Sequence, residues 1–275
     1  MENIRQAVER ARAGRSPFSS EILQSSSAPL PQHIGPPIVT RAGAEFQAEE
    51  ATLDSVHLAS RRIVSHNGAD RRSRPYDILR TQVLQSMIAE KWKVLGVTSP
   101  TPGCGKTLTA VNLAFSIARQ PDKSVVLVDM DLQKPQVANS LGLTIAAGGV
   151  LDLLQGRAAL PDVAITVRAG NERIVVLPAA ATTQSSELMG SHAMSKLLQD
   201  LRRDYQIIML DLPPMLVSDD VIALAPQLDS VLLVAAIGIS KTSEVEDCIR
   251  HLQPGQLLRV VANKADQANA QYGYY

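Results

Sequence analysis

The sequence has few cysteines and no excess of charge of either sign. Cys104 and Cys248 are the two cysteines among 275 residues, which is too few for a disulfide framework and suits a reducing compartment. The 27 basic residues balance the 27 acidic ones, so no global field favours nucleic acid or anionic lipid. We therefore expect no nucleic-acid partner, and any charged partner must be recognised locally.

The sequence also lacks long hydrophobic runs. No run reaches about 18 apolar residues, so no membrane-spanning helix is predicted. The first residues, MENIR, lack the apolar core of a signal peptide. We expect a cytoplasmic protein, and one that another protein recruits if it works at the inner face of the membrane.

The chain divides into an N-terminal arm, a central domain and a short tail. Residues 2–13 have the apolar spacing of a short helix, and residues 14–50 are rich in Ser, Pro and Gly, which is typical of a flexible linker. A short strand is expected within residues 55–64, and a helix over 74–91. The predicted units are an arm over 1–73, a domain over 74–265 and a tail over 266–275.

Strand and helix patterns alternate from residue 93 onward. Most apolar runs are continuous and rich in Val, Ile and Leu, which is typical of strands buried on both faces. The predicted strands are 94–98, 124–128, 173–177, 206–210, 230–235 and 258–262, and the predicted helices are 107–119, 149–155, 191–203, 218–225 and 242–252. This alternation predicts an α/β fold with a doubly wound, mostly parallel sheet that binds ligands at the carboxyl ends of its strands.

The most informative stretch is SPTPGCGKT at residues 99–107, between a predicted strand and a predicted helix. Strand, glycine-containing loop, Lys-Thr and helix follow one another in this order in a phosphate-binding loop. The strict pattern G-x-x-x-x-G-K-[ST] requires glycine where this chain has Pro100. We predict that Lys106 reaches the β- and γ-phosphates of ATP and that the Thr107 hydroxyl binds Mg²⁺.

Carboxylates follow two of the predicted strands. Asp129 and Asp131 come after one apolar run, and Asp211 ends a later one. A single Asp after a strand is usually a cap or turn residue, but three at the ends of one nucleotide-binding sheet indicate a catalytic site. We predict Lys106, Asp129 and Asp131 as catalytic residues and Thr107, Asp129 and Asp211 as Mg²⁺ ligands. The roles of Asp129 and Asp131 stay open between orienting the nucleophile, accepting its proton and completing the metal shell.

Three of the five tyrosines, Tyr272, Tyr274 and Tyr275, fall at the end of the chain. A tyrosine cluster that follows a polar stretch and is interrupted by glycine is not typical of a core. One interpretation is a sticky terminal segment. The other is a mobile segment whose hydroxyls enter an active site as phosphate acceptors.

Several segments together resemble the bacterial tyrosine kinases (BY-kinases) of capsule and exopolysaccharide biosynthesis. They are TSPTPGCGKTLTAVNLAFSIA, VVLVDMDLQKP, IIMLDLPPMLVSDD, VLPAAATTQSSELM, VVANKAD and the terminal QYGYY. They correspond to that family's Walker A, Walker A′ and Walker B regions, two further segments and its tyrosine cluster. The resemblance extends over roughly residues 74–275.

The resemblance implies a P-loop NTPase fold with a deviant Walker A loop, related to the partitioning and cell-division-site ATPases. It implies ATP and Mg²⁺ as cofactors and autophosphorylation of the tyrosine tail of a neighbouring subunit in a homo-oligomeric ring. It also implies a membrane partner, a polysaccharide co-polymerase of the chain-length-determinant type. The nucleotide contacts that it implies are Thr101, Pro102, Gly103, Cys104, Gly105, Lys106, Thr107, Leu108 and Asn263.

The family's oligomerisation helix reads Glu-x-x-Arg-x-x-Arg, and the matching positions here are Arg74, Asp77 and Arg80. The first two charges are reversed relative to the family. Residues three apart share a helix face, so we hypothesise that the reversed charges still pair across subunits.

Three departures keep a second function open. Cys104 stands where the kinases carry Glu or Ala, Gln133 replaces an Arg, and Leu212 replaces a Thr. The alternative is a P-loop ATPase switch that binds ATP and a membrane partner without phosphorylating tyrosine. The partitioning ATPases carry a signature lysine at the position where this chain has Thr101, and this difference favours the kinase. A third alternative, a non-catalytic scaffold, is disfavoured because Lys106 is retained.

Overall fold

The computed structural model describes residues 49–145, 148–183 and 185–265. The predicted helix over 2–13 and the tail over 266–275 lie outside these residues. The strands are β1 (Glu49–Thr52), β2 (Val94–Thr98), β3 (Val125–Asp129), β4 (Ile165–Ala169), β5 (Glu172–Leu177), β6 (Ile207–Asp211), β7 (Ser230–Ala236) and β8 (Leu257–Asn263). The α-helices are α1 (Ser55–Ser60), α2 (Arg74–Ala89), α3 (Lys106–Ala118), α4 (Val137–Leu141), α5 (Val150–Leu154), α6 (Leu160–Val163), α7 (Ser185–Met189), α8 (His192–Asp204), α9 (Asp220–Leu224) and α10 (Thr242–His251).

The strands form one sheet in the order β1-β4-β5-β3-β6-β2-β7-β8. β4 pairs antiparallel with β5, and β1 pairs parallel with β4, so these two strands run opposite to all the others. Ala169 and Glu172 pair across the β4–β5 turn, where Gly170 has a φ of +62°, a conformation that favours glycine. The predicted α/β fold with a mostly parallel sheet is confirmed.

Helices cover both faces of the sheet because its central strands present apolar side chains on both sides. In β3, Val126 and Val128 pack into one core, and Val125 and Leu127 pack into the other. The first core also contains buried residues of α8, α9 and α10, and the second contains buried residues of α2 and α3. Burial on both faces explains the continuous apolar runs of the sequence.

The predicted strand over residues 55–64 is wrong, because α1 occupies this part of the chain. The Asp54 carboxylate accepts hydrogen bonds from the backbone N–H of Val56 (3.0 Å) and of His57 (3.2 Å), which satisfies donors that a helix start leaves open. The Asp-Ser pair at 54–55 is therefore a helix start, and the apolar residues that follow do not form a strand.

Residues 49–73, which we call the N-terminal segment, belong to the folded domain. β1 joins the sheet edge, although residues 49 and 50 fall in the predicted linker, and Leu58 and Ile63 are buried in the core beneath α3. The Asn112 amide of α3 binds this segment directly: its Oδ1 accepts from Val64 N (2.9 Å), and its Nδ2 donates to Arg62 O (3.1 Å). The structure thus extends the domain upstream of the predicted boundary at residue 74.

β4 is absent from the predicted strands, although its sequence ITVRA alternates between buried and more exposed positions. None of the helices in residues 49–145, 148–183 and 185–265 has the length and apolar content needed to cross a bilayer.

Candidate active site

The phosphate-binding loop connects β2 to α3 at the carboxyl edge of the parallel strands. Gly103 and Gly105 have φ values of +80° and +90°, which only glycine adopts without strain. Gly105 immediately precedes α3, so Lys106 and Thr107 occupy the first turn of that helix. A helix N-terminus directs backbone N–H groups and partial positive charge towards a bound anion. The loop therefore has the geometry for polyphosphate.

The Lys106 ammonium lies between two carboxylates. Its Nζ is 2.7 Å from Asp131 Oδ2 and 3.7 Å from Asp211 Oδ1. Burial lowers the pKa of Lys106, but the Asp211 and Asp131 carboxylates outweigh this effect and hold the pKa above its usual value. Lys106 is therefore a buried, fully protonated cation at neutral pH, as binding of phosphate oxygens requires.

Thr107 and Asp211 also meet, as the sequence predicts. The Thr107 hydroxyl donates to Asp211 Oδ2 at 2.6 Å. Asp211 is fully buried, and its Oδ1 has no hydrogen-bond partner among the described residues. Burial raises the pKa of Asp211, while Lys106 acts in the opposite direction. This oxygen faces the Lys106 ammonium at 3.7 Å, beyond hydrogen-bond distance, so it is left able to bind a metal ion as a second cation.

These donors fit Mg²⁺, which prefers oxygen ligands. In the part of the chain that the structure describes, no group of three or more His, Cys, Asp or Glu side chains forms a metal site by itself. Mg²⁺ in phosphoryl-transfer sites is usually held by one or two carboxylates together with phosphate oxygens and water, so a complete protein cage is not expected. Thr107 and Asp211 supply such a partial set.

Asp129 lies at the end of β3, in register with Asp211 on β6. Its Oδ2 accepts from Val137 N at 2.9 Å, and its Oδ1 accepts from Asp131 N at 3.3 Å. Burial and the neighbouring Asp211 raise the pKa of Asp129 to about 8. Asp129 thus holds the backbone of the loop that carries Asp131.

Comparison with known proteins agrees with this geometry. A match to the family described as AAA domain covers residues 92–254. The tyrosine-protein kinase CpsD of Streptococcus pneumoniae serotype 4 is 30% identical over 200 residues, which cover 72% of this chain and 86% of that protein. The chain belongs to the bacterial tyrosine kinases.

Two further relatives and a solved structure extend this kinase comparison. The putative tyrosine-protein kinase EpsB of Ralstonia nicotianae is 32% identical over 202 residues, which cover 71% of this chain but 26% of EpsB. The succinoglycan biosynthesis transport protein ExoP of Rhizobium meliloti is 28% identical over 190 residues, or 66% of this chain and 23% of ExoP. The chain thus spans about a quarter of these two relatives. The kinase domain of the Escherichia coli tyrosine kinase ETK superposes on this chain with a TM-score of 0.64 at 28% identity. The superposition covers 75% of this chain and 82% of the ETK domain.

Cys104, which departs from the pattern of the kinase family, is buried in the loop. Its Sγ lies 3.3 Å from Ser240 Oγ and 3.7 Å from Thr101 Oγ1. Burial raises the pKa of the Cys104 thiol, but hydrogen bonding by Ser240 and Thr101 outweighs it and leaves the pKa below its usual value. Ser240 was not predicted, because the sequence gives no signal that the turn after β7 reaches the kinase loop.

Gln133, the second departure, lies beside a buried carboxylate. Gln133 Nε2 is 3.2 Å from Ser218 Oγ and 3.5 Å from Asp220 Oδ2. Asp220 is 1% exposed, and its Oδ1 accepts from Ser185 Oγ at 3.0 Å. A neutral amide thus occupies the position at which an Arg would meet the carboxylate. Asp220 was not predicted as part of the site, although two adjacent acidic residues at 219–220, downstream of a predicted strand, could have indicated it.

Leu212, the third departure, is fully buried and faces Gly96 of β2. A Cβ at Gly96 would lie 2.7 Å from Leu212 Cδ1, so the apolar side chain occupies the space above this glycine.

The predicted oligomerisation residues Asp77 and Arg80 have partners within the same chain. Asp77 Oδ1 lies 3.2 Å from Arg80 Nη1 and 2.9 Å from Arg119 Nη1, and it also accepts from Ser116 Oγ at 2.7 Å. These contacts join α2 to the end of α3. The structure therefore gives these two charges partners inside the domain, and their pairing across subunits stays a hypothesis.

The remaining predicted residues fall into two groups. Asn263, predicted to lie near the nucleotide base, donates from Nδ2 to Cys104 O at 2.9 Å and so contacts the loop itself. Tyr272, Tyr274 and Tyr275 lie outside the described residues.

Proposed function

We propose that this chain is an ATP-dependent protein-tyrosine kinase that phosphorylates the tyrosine tail of a neighbouring copy and acts in exopolysaccharide or capsule production. The observation that carries the proposal is the convergence of Lys106, Thr107, Asp131 and Asp211 at the carboxyl edge of one sheet. This arrangement provides a cation for phosphate, oxygen ligands for a metal and a carboxylate beside the reacting group.

Lys106 binds and orients the terminal phosphates in the proposed reaction. The acceptor tyrosine oxygen forms a bond to the γ-phosphorus, and the bond from the γ-phosphorus to the bridging oxygen of ADP breaks. ADP leaves with that electron pair, and the tyrosine proton passes to a carboxylate. Both oxygens of Asp129 accept backbone N–H groups, so we assign the proton to Asp131, which is released when Lys106 moves to the phosphates.

Thr107 and Asp211 would hold Mg²⁺ in this scheme. The ion, when bound, neutralises charge on the phosphate oxygens. The burial of Asp211 and its hydrogen bond with Thr107 fix the oxygens of both side chains before the nucleotide arrives, which avoids reorganisation during the reaction.

The names of the relatives, and not this site alone, support the proposed partners. ExoP is named as a succinoglycan biosynthesis transport protein. We infer a membrane polysaccharide co-polymerase of the chain-length-determinant type as the activator, which recruits this chain to the cytoplasmic face of the membrane. We also infer a ring of identical subunits, to be examined by size-exclusion chromatography of Arg74→Glu.

The kinase is tested by incubating the full chain with Mg-ATP, with and without the cytoplasmic segment of the activator, and mapping phosphate by mass spectrometry. We expect phosphate on Tyr272, Tyr274 or Tyr275, and its loss in Lys106→Met. Lys196→Met, on the exposed side of α8, is the matched control and should retain it. ATP hydrolysis without phosphotyrosine would instead establish the ATPase switch.

A further inference from the structure

The phosphate-binding loop is held from outside by the last residue of the edge strand β8. Asn263 Nδ2 donates to the carbonyl oxygen of Cys104 at 2.9 Å. The oxygen of the same amide is also hydrogen-bonded, because Asn263 Oδ1 accepts from Lys264 N at 2.8 Å. These two bonds fix which end of the amide faces the loop, so the NH₂ group and not the oxygen meets the carbonyl.

Gly105 makes this approach possible. A Cβ built on Gly105 would lie 2.3 Å from Asn263 Nδ2, which is far inside van der Waals contact. The φ of +90° at Gly105 also disfavours any other residue. The glycine thus has a specific reason to stand before Lys106: it leaves the space that the Asn263 amide fills.

The contact has a directional consequence for phosphate binding. The peptide bond between Cys104 and Gly105 is trans, since the structure has no cis peptide bonds among its described residues. In a trans peptide the C=O and N–H groups point to opposite sides. Because the Cys104 carbonyl faces Asn263, the Gly105 N–H faces away from β8, and it donates to no acceptor among the described residues.

A second side chain holds the same residue. Ser240 Oγ accepts from Ala236 N at 3.0 Å, which fixes it at the end of β7, and it lies 3.3 Å from Cys104 Sγ. The end of β7 therefore contacts the side chain of Cys104, and the end of β8 contacts its carbonyl oxygen. This two-point contact restricts rotation of the 104–105 peptide.

We propose that Asn263 is a positioning residue for the phosphate-binding loop, which orients the Gly105 N–H towards the nucleotide phosphates. The proposal rests on the proposed function of the site as an ATP site. It adds a role to the expectation, drawn from the family resemblance, that Asn263 lies near the base.

The test separates phosphate binding from base binding. Dissociation constants for Mg-ATP and for magnesium tripolyphosphate, which has no base, are measured by calorimetry on the full chain. Asn263→Asp keeps the shape of the side chain but turns an oxygen towards the Cys104 carbonyl, and we expect it to weaken both ligands by the same factor of about ten. Weakening of ATP alone would show a base contact and overturn the proposal.

Hydrogen exchange of the chain without nucleotide provides the second measurement. We expect faster exchange of residues 99–107 in Asn263→Asp and in Asn263→Ala, while Asn67→Asp, which adds the same charge at an exposed site, leaves it unchanged. Unchanged exchange in both Asn263 variants would also overturn the proposal. If the unsubstituted chain bound neither ligand, the proposed kinase function would fail, whereas the exchange comparison would still decide the role of Asn263.

Discussion

Lys106 Nζ lies 2.7 Å from Asp131 Oδ2, with 11% of the first side chain and 8% of the second exposed. Attraction between opposite charges is strong at this distance when solvent is largely excluded. In the proposed reaction, the phosphates of ATP therefore compete with Asp131 for Lys106. Once they displace it, Asp131 becomes an available carboxylate beside the reacting phosphate.

Asp131→Asn should separate the two effects of this carboxylate. Removing the negative charge releases Lys106 and reduces repulsion of the phosphates, so we expect ATP to bind about threefold more tightly or better. Loss of the proton acceptor should lower the rate of tyrosine phosphorylation by about 100-fold or more. Calorimetry and single-turnover phosphorylation measure the two quantities. Asp200→Asn on α8 is the control, and weaker ATP binding in Asp131→Asn would contradict the competition.

Gln133→Arg should stabilise the fold. A guanidinium at this position can pair with the buried Asp220 carboxylate, which now meets the Gln133 amide at 3.5 Å. A gain of about 1 kcal/mol in the free energy of unfolding corresponds to a rise in Tm of about 2–4 °C for a domain of this size. Differential scanning calorimetry measures it, with Gln136→Arg at an exposed position as the control. A lower Tm in Gln133→Arg alone would mean that the site cannot accommodate the cation.

Asn112→Ala should release the N-terminal segment. The amide Oδ1 accepts from Val64 N at 2.9 Å and from Ser65 N at 3.1 Å, so the variant leaves buried backbone donors without partners. We expect a loss of about 3 kcal/mol in the free energy of unfolding. Urea titration measures this loss, and limited proteolysis should show new cleavage within residues 61–67. The exposed Asn171→Ala, outside this segment, should change neither quantity. An unchanged cleavage pattern in Asn112→Ala would show that Asn112 does not hold the N-terminal segment in place.

Asp229→Asn should destabilise the domain in a pH-dependent way. Burial raises the pKa of Asp229, but hydrogen bonds from Arg202 and from the backbone of Lys93 and Val94 outweigh it and lower the pKa. The carboxylate therefore stabilises the fold at pH values above about 3.9, the pKa of Asp in the unfolded chain. This contribution disappears as the pH falls through the lower pKa that Asp229 has in the folded chain.

We expect Asp229→Asn to cost about 2 kcal/mol at pH 7 in urea unfolding. The difference from the unsubstituted chain should be constant down to about pH 5 and should shrink below about pH 4. A difference that grows as the pH falls would show that the sign is wrong. Asp247→Asn on α10, where 43% of the side chain is exposed, supplies the control.

The sequence predicts the parts of the fold and site that depend on local pattern. β2, β3, β6 and β7 are continuous apolar runs, and Lys106, Thr107 and Asp211 meet because the carboxyl ends of parallel strands lie at one edge. The pattern fails for β1, which is four residues long at the sheet edge and carries exposed charges.

Contacts that depend on tertiary structure could not be predicted from the sequence. The pairing of Lys106 with Asp131 depends on the path of the chain after β3, which Asp129 holds through backbone N–H groups. The contact of Ser240 with Cys104 joins residues 136 positions apart. No periodicity or motif encodes such distances.

The described chain begins at one lateral edge of the sheet, on β1, and leaves at the other, after β8. With a spacing of about 4.8 Å between neighbouring strands, these edges are roughly 34 Å apart. The domain therefore has a polarity across its width, because its first and last described residues lie on opposite flanks. Subunits that meet with unlike flanks together form heterologous contacts, which close into rings or continue as filaments according to the rotation between copies.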